Sequence, residues 1–171
     1  MNWYVIYVRG RYEKKVLALL KSRQVECFLP LTREVRQWTD RKKVIEEPLI
    51  RGYLFVRIDY RNYYGILQLP GVLNFVCFEK QPAIVPDYQI EDLKIFARET
   101  SLKLEVSSEA IRKGKFIRVI EGPFCGVVGE IIQLRGKRKI VVRIKALGCS
   151  ILAELGKNEV APYAQSEAVV A

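Results

Sequence analysis

The side chains able to do chemistry in this 171-residue chain are 29 Lys and Arg, 19 Asp and Glu, four cysteines and eighteen aromatics, with no histidine. Zero histidine excludes a Ser-His-Asp or Cys-His nucleophile, an imidazole metal ligand and a histidine general base. Cys27, Cys77, Cys125 and Cys149 lie at least 24 residues apart, so no C-x-x-C pair suggests zinc or redox work. Spaced this way they read as buried small hydrophobes in a reducing compartment. No P-loop and no glycine-rich dinucleotide turn is present, so an enzyme has no constellation to rest on. No cofactor and no metal are expected. What remains is binding chemistry, cationic and aromatic, at a net charge of +10. No apolar run reaches the ~20 residues of a membrane span. The reading is a soluble, cytoplasmic, monomeric protein without a membrane partner.

Those residues are unevenly distributed. Residues 1–98 carry a net +6 and residues 112–163 a net +7, whereas 99–111 carry −2 and 164–171 carry −1. Fifteen of the eighteen aromatics precede residue 99. Two composition regimes therefore flank the Ser- and Glu-containing stretch 99–111, which reads as a solvated linker between two small domains. Residues 164–171 have no pattern and read as a loose tail.

In the first domain, Trp3 to Val8 is a continuous β-prone run expected inside a sheet. Tyr12, Val16, Leu19 and Leu20 recur at helical spacing between Lys14, Lys15 and Lys21, predicting a helix over about 11–23. Cys27–Val35 reads as a strand broken by Pro30, and residues 38–43 as a polar hairpin tip. A return strand runs over Val44–Pro48 and a strong strand over Tyr53–Ile58. A short helix over Asn62–Leu69 stops at Pro70-Gly71. A strand follows over Val72–Phe78, then a helix that Asp87 can cap, with Ile90, Leu93 and Phe96 on one face. The order β-α-β-β-β-α-β-α describes an α+β sandwich with a mainly antiparallel sheet.

Alternation puts Trp3, Val5 and Tyr7 on one face of the first strand, and Tyr53, Phe55 and Arg57 together on one face of the later one. An aromatic set with an arginine in line suits a docking surface. It suits a second core face equally well.

From Lys113 the pattern changes to short strands at close spacing: Phe116–Ile120, Val127–Ile132, Ile140–Ile144, Ser150–Leu155 and Val160–Ala161. Glycine turns separate them, which describes a small five-stranded β-barrel. Gly126 and Gly129 suggest a sharp bend or a close backbone approach.

Lys115 to Ile131, with Glu121-Gly122-Pro123-Phe124-Cys125-Gly126 at its centre, resembles a KOW motif, the barrel element of NusG-type transcription factors and some ribosomal proteins. Upstream, Trp3-Tyr4-Val5, then Pro48-Leu49-Ile50-Arg51-Gly52-Tyr53-Leu54-Phe55-Val56, then Leu69-Pro70-Gly71-Val72-Leu73-Asn74-Phe75-Val76 resemble the N-terminal (NGN) domain of NusG proteins in order and spacing. The likeness covers about 160 residues. Ile50-Arg51 stands where many relatives carry Phe-Pro. The short connection Ser22 to Pro30 and the phrase Pro82-Ala83-Ile84-Val85-Pro86 resemble the specialised RfaH and UpxY-type antiterminators more than general NusG.

The resemblance implies an antitermination and elongation factor that docks on the clamp helices of RNA polymerase, with Trp3, Val5, Tyr7, Tyr53, Phe55 and Phe78 lining the pocket. It implies contact with the non-template DNA strand through Arg9, Arg11, Lys14 and Lys15, with Tyr63 or Tyr64 stacking; Arg41-Lys42-Lys43 could also reach nucleic acid. It implies a KOW barrel that recruits a small-subunit ribosomal protein or Rho, with Phe124 exposed at a loop tip flanked by Gly122, Pro123 and Gly126. The Arg135-Gly136-Lys137-Arg138-Lys139 loop is a second basic candidate for RNA. The β-branched strands favour this barrel over a stable helical form. A general housekeeping NusG and a KOW-type ribosome- or RNA-binding protein are the competing readings.

Overall fold

The computed structural model describes residues 1–37, 42–98, 104–108, 111, 113–134, 136–155 and 160–163. It divides into two compact units, Met1–Ile90 and Glu91–Ala171.

The first unit opens with β1 (Asn2–Val8), whose alternating aromatic and branched side chains suit extended backbone. α1 (Glu13–Ser22) buries Val16 and Leu20, starts with an acid and carries Lys21 in its last turn, both favourable to the helix dipole. β2 (Glu26–Phe28), β3 (Leu31–Gln37), β4 (Lys42–Pro48) and β5 (Tyr53–Ile58) follow. A 3₁₀ turn over Tyr60–Asn62 then leads into α2 (Tyr63–Leu67). The rest is β6 (Val72–Phe75), β7 (Cys77–Phe78), β8 (Gln81–Pro82), β9 (Ile84–Val85) and the start of α3 (Asp87–Arg98), which the unit boundary crosses after Ile90.

Its main sheet has the order β2-β5-β1-β6, with β9 also pairing β1, and all these pairs are antiparallel. Tyr4, Ile6, Val8, Leu54, Val56 and Ile58 project to one face, where Val16, Leu20, Ile66 and Phe75 complete a core. The face opposite Trp3, Val5 and Tyr7 therefore carries a packed core.

The break expected at Pro30 is present, and the single strand expected over Val72–Phe78 is split in the structure. Cys27–Val35 becomes β2 and β3, separated at Pro30, which has no N–H to donate and whose carbonyl accepts from Leu49 N–H (2.8 Å). Val72–Phe78 becomes β6 in the main sheet and β7 in a separate hairpin with β8. The two-residue loop of that hairpin, Glu79-Lys80, has φ of 50° and 65°, a pair of left-handed residues that lets the strands twist correctly. β3 and β4 also pair, from Leu31↔Pro48 to Gln37↔Lys42. Residues 38–41 of the expected polar tip lie outside the described residues.

The second unit holds the rest of α3 and β10 (Leu104–Ser107), β11 (Lys115–Val119), β12 (Val128–Leu134), β13 (Lys137–Ile144), β14 (Cys149–Glu154) and β15 (Val160–Pro162). They form one antiparallel sheet in the order β10-β14-β13-β12-β11-β15. β10 corrects the reading of 99–111 as wholly linker: Leu104 pairs with Ala153 and Ser107 with Ser150. Gly129 fits because a Cβ there would lie 2.7 Å from the Val141 carbonyl oxygen. Glu130 is buried and accepts from Arg143 Nε (2.7 Å), Arg143 Nη2 (3.0 Å) and Gly114 N–H (2.9 Å). The same guanidinium donates to the Ile111 carbonyl (3.0 Å), so one ion pair ties the approach to β11 onto β12 and β13.

Candidate interaction site

The end of the β1–β5 pair sets Tyr7 opposite Tyr53, and their rings lie 5.2 Å apart at 48°. The approach depends on Gly52, at φ +80°, where a Cβ would meet Tyr7 Cε2 at 2.9 Å. Tyr63, the first residue of α2, stacks on Phe75 at 4.3 Å and 24°. Tyr7, Tyr53, Tyr63, Asn74, Phe75, Val76 and Cys77 together line an open groove of about 460 Å³. Phe78, next along β7, is 73% exposed. Burial, followed by the neighbouring Cys77, Tyr60 and Tyr64, pushes the Tyr63 phenol above its usual value. It stays a neutral donor and acceptor near pH 7. The groove mixes aromatic rings with phenolic hydroxyls and the Asn74 amide, chemistry suited to a protein surface rather than to bond making.

Of the six residues expected to line a docking pocket, Tyr7, Tyr53 and Phe78 reach solvent. Trp3 (4% exposed), Val5 and Phe55 (both 0%) do not, and their expected place on an open surface is corrected. β1 and β5 are the inner strands of the sheet, and Val5 and Phe55 are register partners at its centre, where both faces are closed. Arg57 is likewise engaged, 3.5 Å from Glu26 and 3.7 Å from Asp87.

The basic candidates gather at the start of α1. The Arg9 guanidinium lies 5.5 Å and the Lys15 ammonium 4.7 Å from the centre of the Tyr12 ring, both within cation–π range. Arg11, at φ +66°, is exposed beside them, and Lys14 faces Glu46 at 4.0 Å. Tyr64 is exposed and stands edge-on to Tyr63 at 5.3 Å. Tyr63 itself has a face occupied by Phe75, which leaves Tyr64 the better platform. Arg41 lies outside the described residues, as do the side chains of Lys42 and Lys43.

In the second unit the loop after β11 turns at Gly122 (φ +86°) and Gly126 (φ +95°), with Gly126 N–H donating to Val119 O (2.8 Å). Gly122, Pro123 and Gly126 are exposed. Phe124 is not. It is wholly buried against Phe96 of α3, ring centres 5.0 Å apart, which corrects its expected exposure. The tight turn folds the ring inward instead of presenting it. Much of the charge on the basic loop is spent within the unit: Lys137 pairs with Glu154 (2.9 Å) and Lys139 with Glu105 (2.8 Å). Arg135 lies outside the described residues.

Cys77 and Cys125 are exposed, contrary to the expectation of four buried thiols, while burial pushes the Cys27 and Cys149 thiols upward. Among the described residues no three His, Cys, Asp or Glu side chains gather as a metal site. No helix among them is long and apolar enough to cross a membrane. Glu13, buried at the start of α1, and Asp92, buried on α3, are among the buried polar residues that give no signal in the sequence. Both sit among charged neighbours in sequence and look solvated until the fold is known.

The family model described as "Transcription termination factor nusG" matches residues 1–94, more than half the chain and all of the groove. The chain belongs to the NusG family. It is 29% identical over 168 residues to the transcription termination/antitermination protein NusG of Thermus thermophilus, covering 84% of this chain and 90% of that one. It is 28% identical over 173 residues to the Bacillus subtilis NusG, covering 90% and 94%. A solved structure of Thermotoga maritima NusG, titled for its domain interaction, superposes with a TM-score of 0.53 at 24% identity, covering 94% and 96% of the two chains. The fold is thus the NusG-like α+β arrangement with three helices and antiparallel sheets. The protein is a NusG-like transcription termination/antitermination factor.

Proposed function

We propose that this NusG-family protein is an elongation and antitermination factor that binds RNA polymerase through the groove of its first unit. The observation that carries the reading is the solvent-facing Tyr7–Tyr53 pair with Phe78 exposed beside it. The occupant is the clamp coiled coil, whose apolar helix faces suit an aromatic groove. Trp3, Val5 and Phe55 continue the Tyr7 and Tyr53 face along β1 and β5, closed to solvent. A domain bound there bridges the DNA cleft, holds the clamp closed and disfavours paused and terminating states, without covalent chemistry. Arg9, Arg11, Lys14 and Lys15, with Tyr64, follow the displaced non-template strand. The second unit acts as a KOW barrel, and Gly122, Pro123 and Gly126 frame its contact with a small-subunit ribosomal protein or Rho.

The test is binding of the full chain to the isolated clamp coiled coil. Micromolar binding by the wild type, lost in Tyr7→Ala and Phe78→Ala with folds intact, supports this reading. A wild type that does not bind, alone or as residues 1–98, overturns it.

The short connection between α1 and β2, with Gln24 in a left-handed turn, supports a factor specialised for one long operon, such as a surface polysaccharide operon. The nearly full-length match to general NusG proteins supports the housekeeping alternative. Deleting the gene separates them: a specialist loses distal transcripts of one operon, and a general factor shifts pausing genome-wide.

A further inference from the structure

Glu13 is the first residue of α1, and its side chain is buried. An acid at a helix start ordinarily faces water and complements the dipole. Here Oε1 instead accepts a hydrogen bond from the Gly52 N–H at 3.0 Å, across 39 residues of sequence. The Gly52 carbonyl in turn accepts from Val8 N–H at 2.8 Å. Gly52 is thus held at both its polar groups, in the left-handed region at φ +80°. The space where its side chain would stand belongs to the Tyr7 ring, and the next residue is Tyr53.

We infer that Glu13 is a positioning residue for the groove: its carboxylate clamps the Gly52 turn and so seats the Tyr53 ring against Tyr7. This rests on the docking role proposed above for the groove. Without the acceptor, a buried N–H loses its partner and the turn is free to rotate, because glycine tolerates many backbone conformations. Tyr53 then leaves Tyr7, and one wall of the groove is no longer preformed. The acceptor, not the charge, is what matters.

Three variants of the full chain separate those terms. Glu13→Gln keeps an acceptor oxygen at the same reach without the charge. Glu13→Asp keeps the charge at the helix start but withdraws the oxygen by one methylene. Glu13→Ala removes both. Two readouts are taken: nuclear Overhauser contacts between the Tyr7 and Tyr53 rings in the free protein, and affinity for the isolated clamp coiled coil. Gln retains the ring contacts and binds within about twofold of wild type, while Asp and Ala lose the contacts and bind about tenfold more weakly, the scale of one buried hydrogen bond. Ring contacts retained in Asp, or lost in Gln, overturn the inference. If Ala fails to fold, the Asp and Gln pair still decides it. If wild type shows the ring contacts yet does not bind the coiled coil, the docking role falls, and the ring readout alone judges the positioning.

Discussion

The rings of Phe96 and Phe124 meet at 5.0 Å with 50° between their planes, and neither side chain reaches solvent. A loop residue that resembles a partner contact is therefore, in this conformation, a core residue of the second unit. Truncating it leaves a ring-sized void beside Phe96. Phe124→Ala is expected to lower the stability of that unit by about 3–5 kcal/mol, measured by urea unfolding. Phe124→Leu, which refills much of the space, recovers most of the loss. A variant whose unfolding midpoint matches wild type shows that the ring is not packed in solution.

The middle of α3 carries a group whose burial moves its titration to about 7. Burial raises the Asp92 carboxyl from 3.8 to about 7, against the lowering effects of the Val128 backbone hydrogen bond and Arg118. Glu91 beside it raises the value further, and one carboxylate oxygen, Oδ2, has no hydrogen-bond partner. A raised acid favours the packed state at low pH, and that contribution is lost as pH rises from about 4 through 7. Asp92→Asn keeps the shape and cannot ionise. The thermal midpoint of the Asn variant is expected to gain on wild type as pH goes from about 5 to 8. A difference independent of pH refutes this.

The period-two pattern made the main sheet legible: Trp3, Val5 and Tyr7 do stand opposite Arg57, Phe55 and Tyr53. The helical spacing of Val16 and Leu20 likewise marked α1. What escaped notice was non-local or chemically unusual. A two-residue hairpin loop with both residues left-handed is normally signalled by Asn-Gly, and Glu79-Lys80 gives no such signal. β10 pairs with a strand more than 40 residues further on, so Leu104–Ser107 looks like polar linker in isolation. Burial of Phe124 depends on Phe96, 28 residues earlier. The groove was half legible, because alternation assigns a face but not which of its members remain open to solvent.

The Glu130–Arg143 ion pair behaves oppositely to Asp92. The hydrogen bond from Arg143 holds the Glu130 carboxyl below its usual 4.5, burial opposes this, and the Gly114 N–H assists. A depressed acid contributes stability above the unfolded value, and that contribution is lost as pH falls below about 4.5. Arg143→Met strands a buried carboxylate and is expected to cost about 3 kcal/mol, with a smaller penalty at pH 4 than at pH 7. Chemical denaturation at the two pH values checks both the size and the sign.

Arg9 and Lys15 both lie within cation–π range of one ring, that of Tyr12, and so gather two cations at the start of α1. If each meets a phosphate of a single strand, binding is salt-dependent in proportion to the number of phosphates neutralised. Replacing both with alanine should reduce the slope of log affinity against log salt by about 1.4, at roughly 0.7 per phosphate on a single strand. Tyr64→Ala should weaken the same binding by about 1–3 kcal/mol without changing the slope, since stacking releases no counterions. Fluorescence titrations of a single-stranded oligonucleotide across salt concentrations measure both quantities. An unchanged slope in the double variant would place these cations in solvent rather than on the strand.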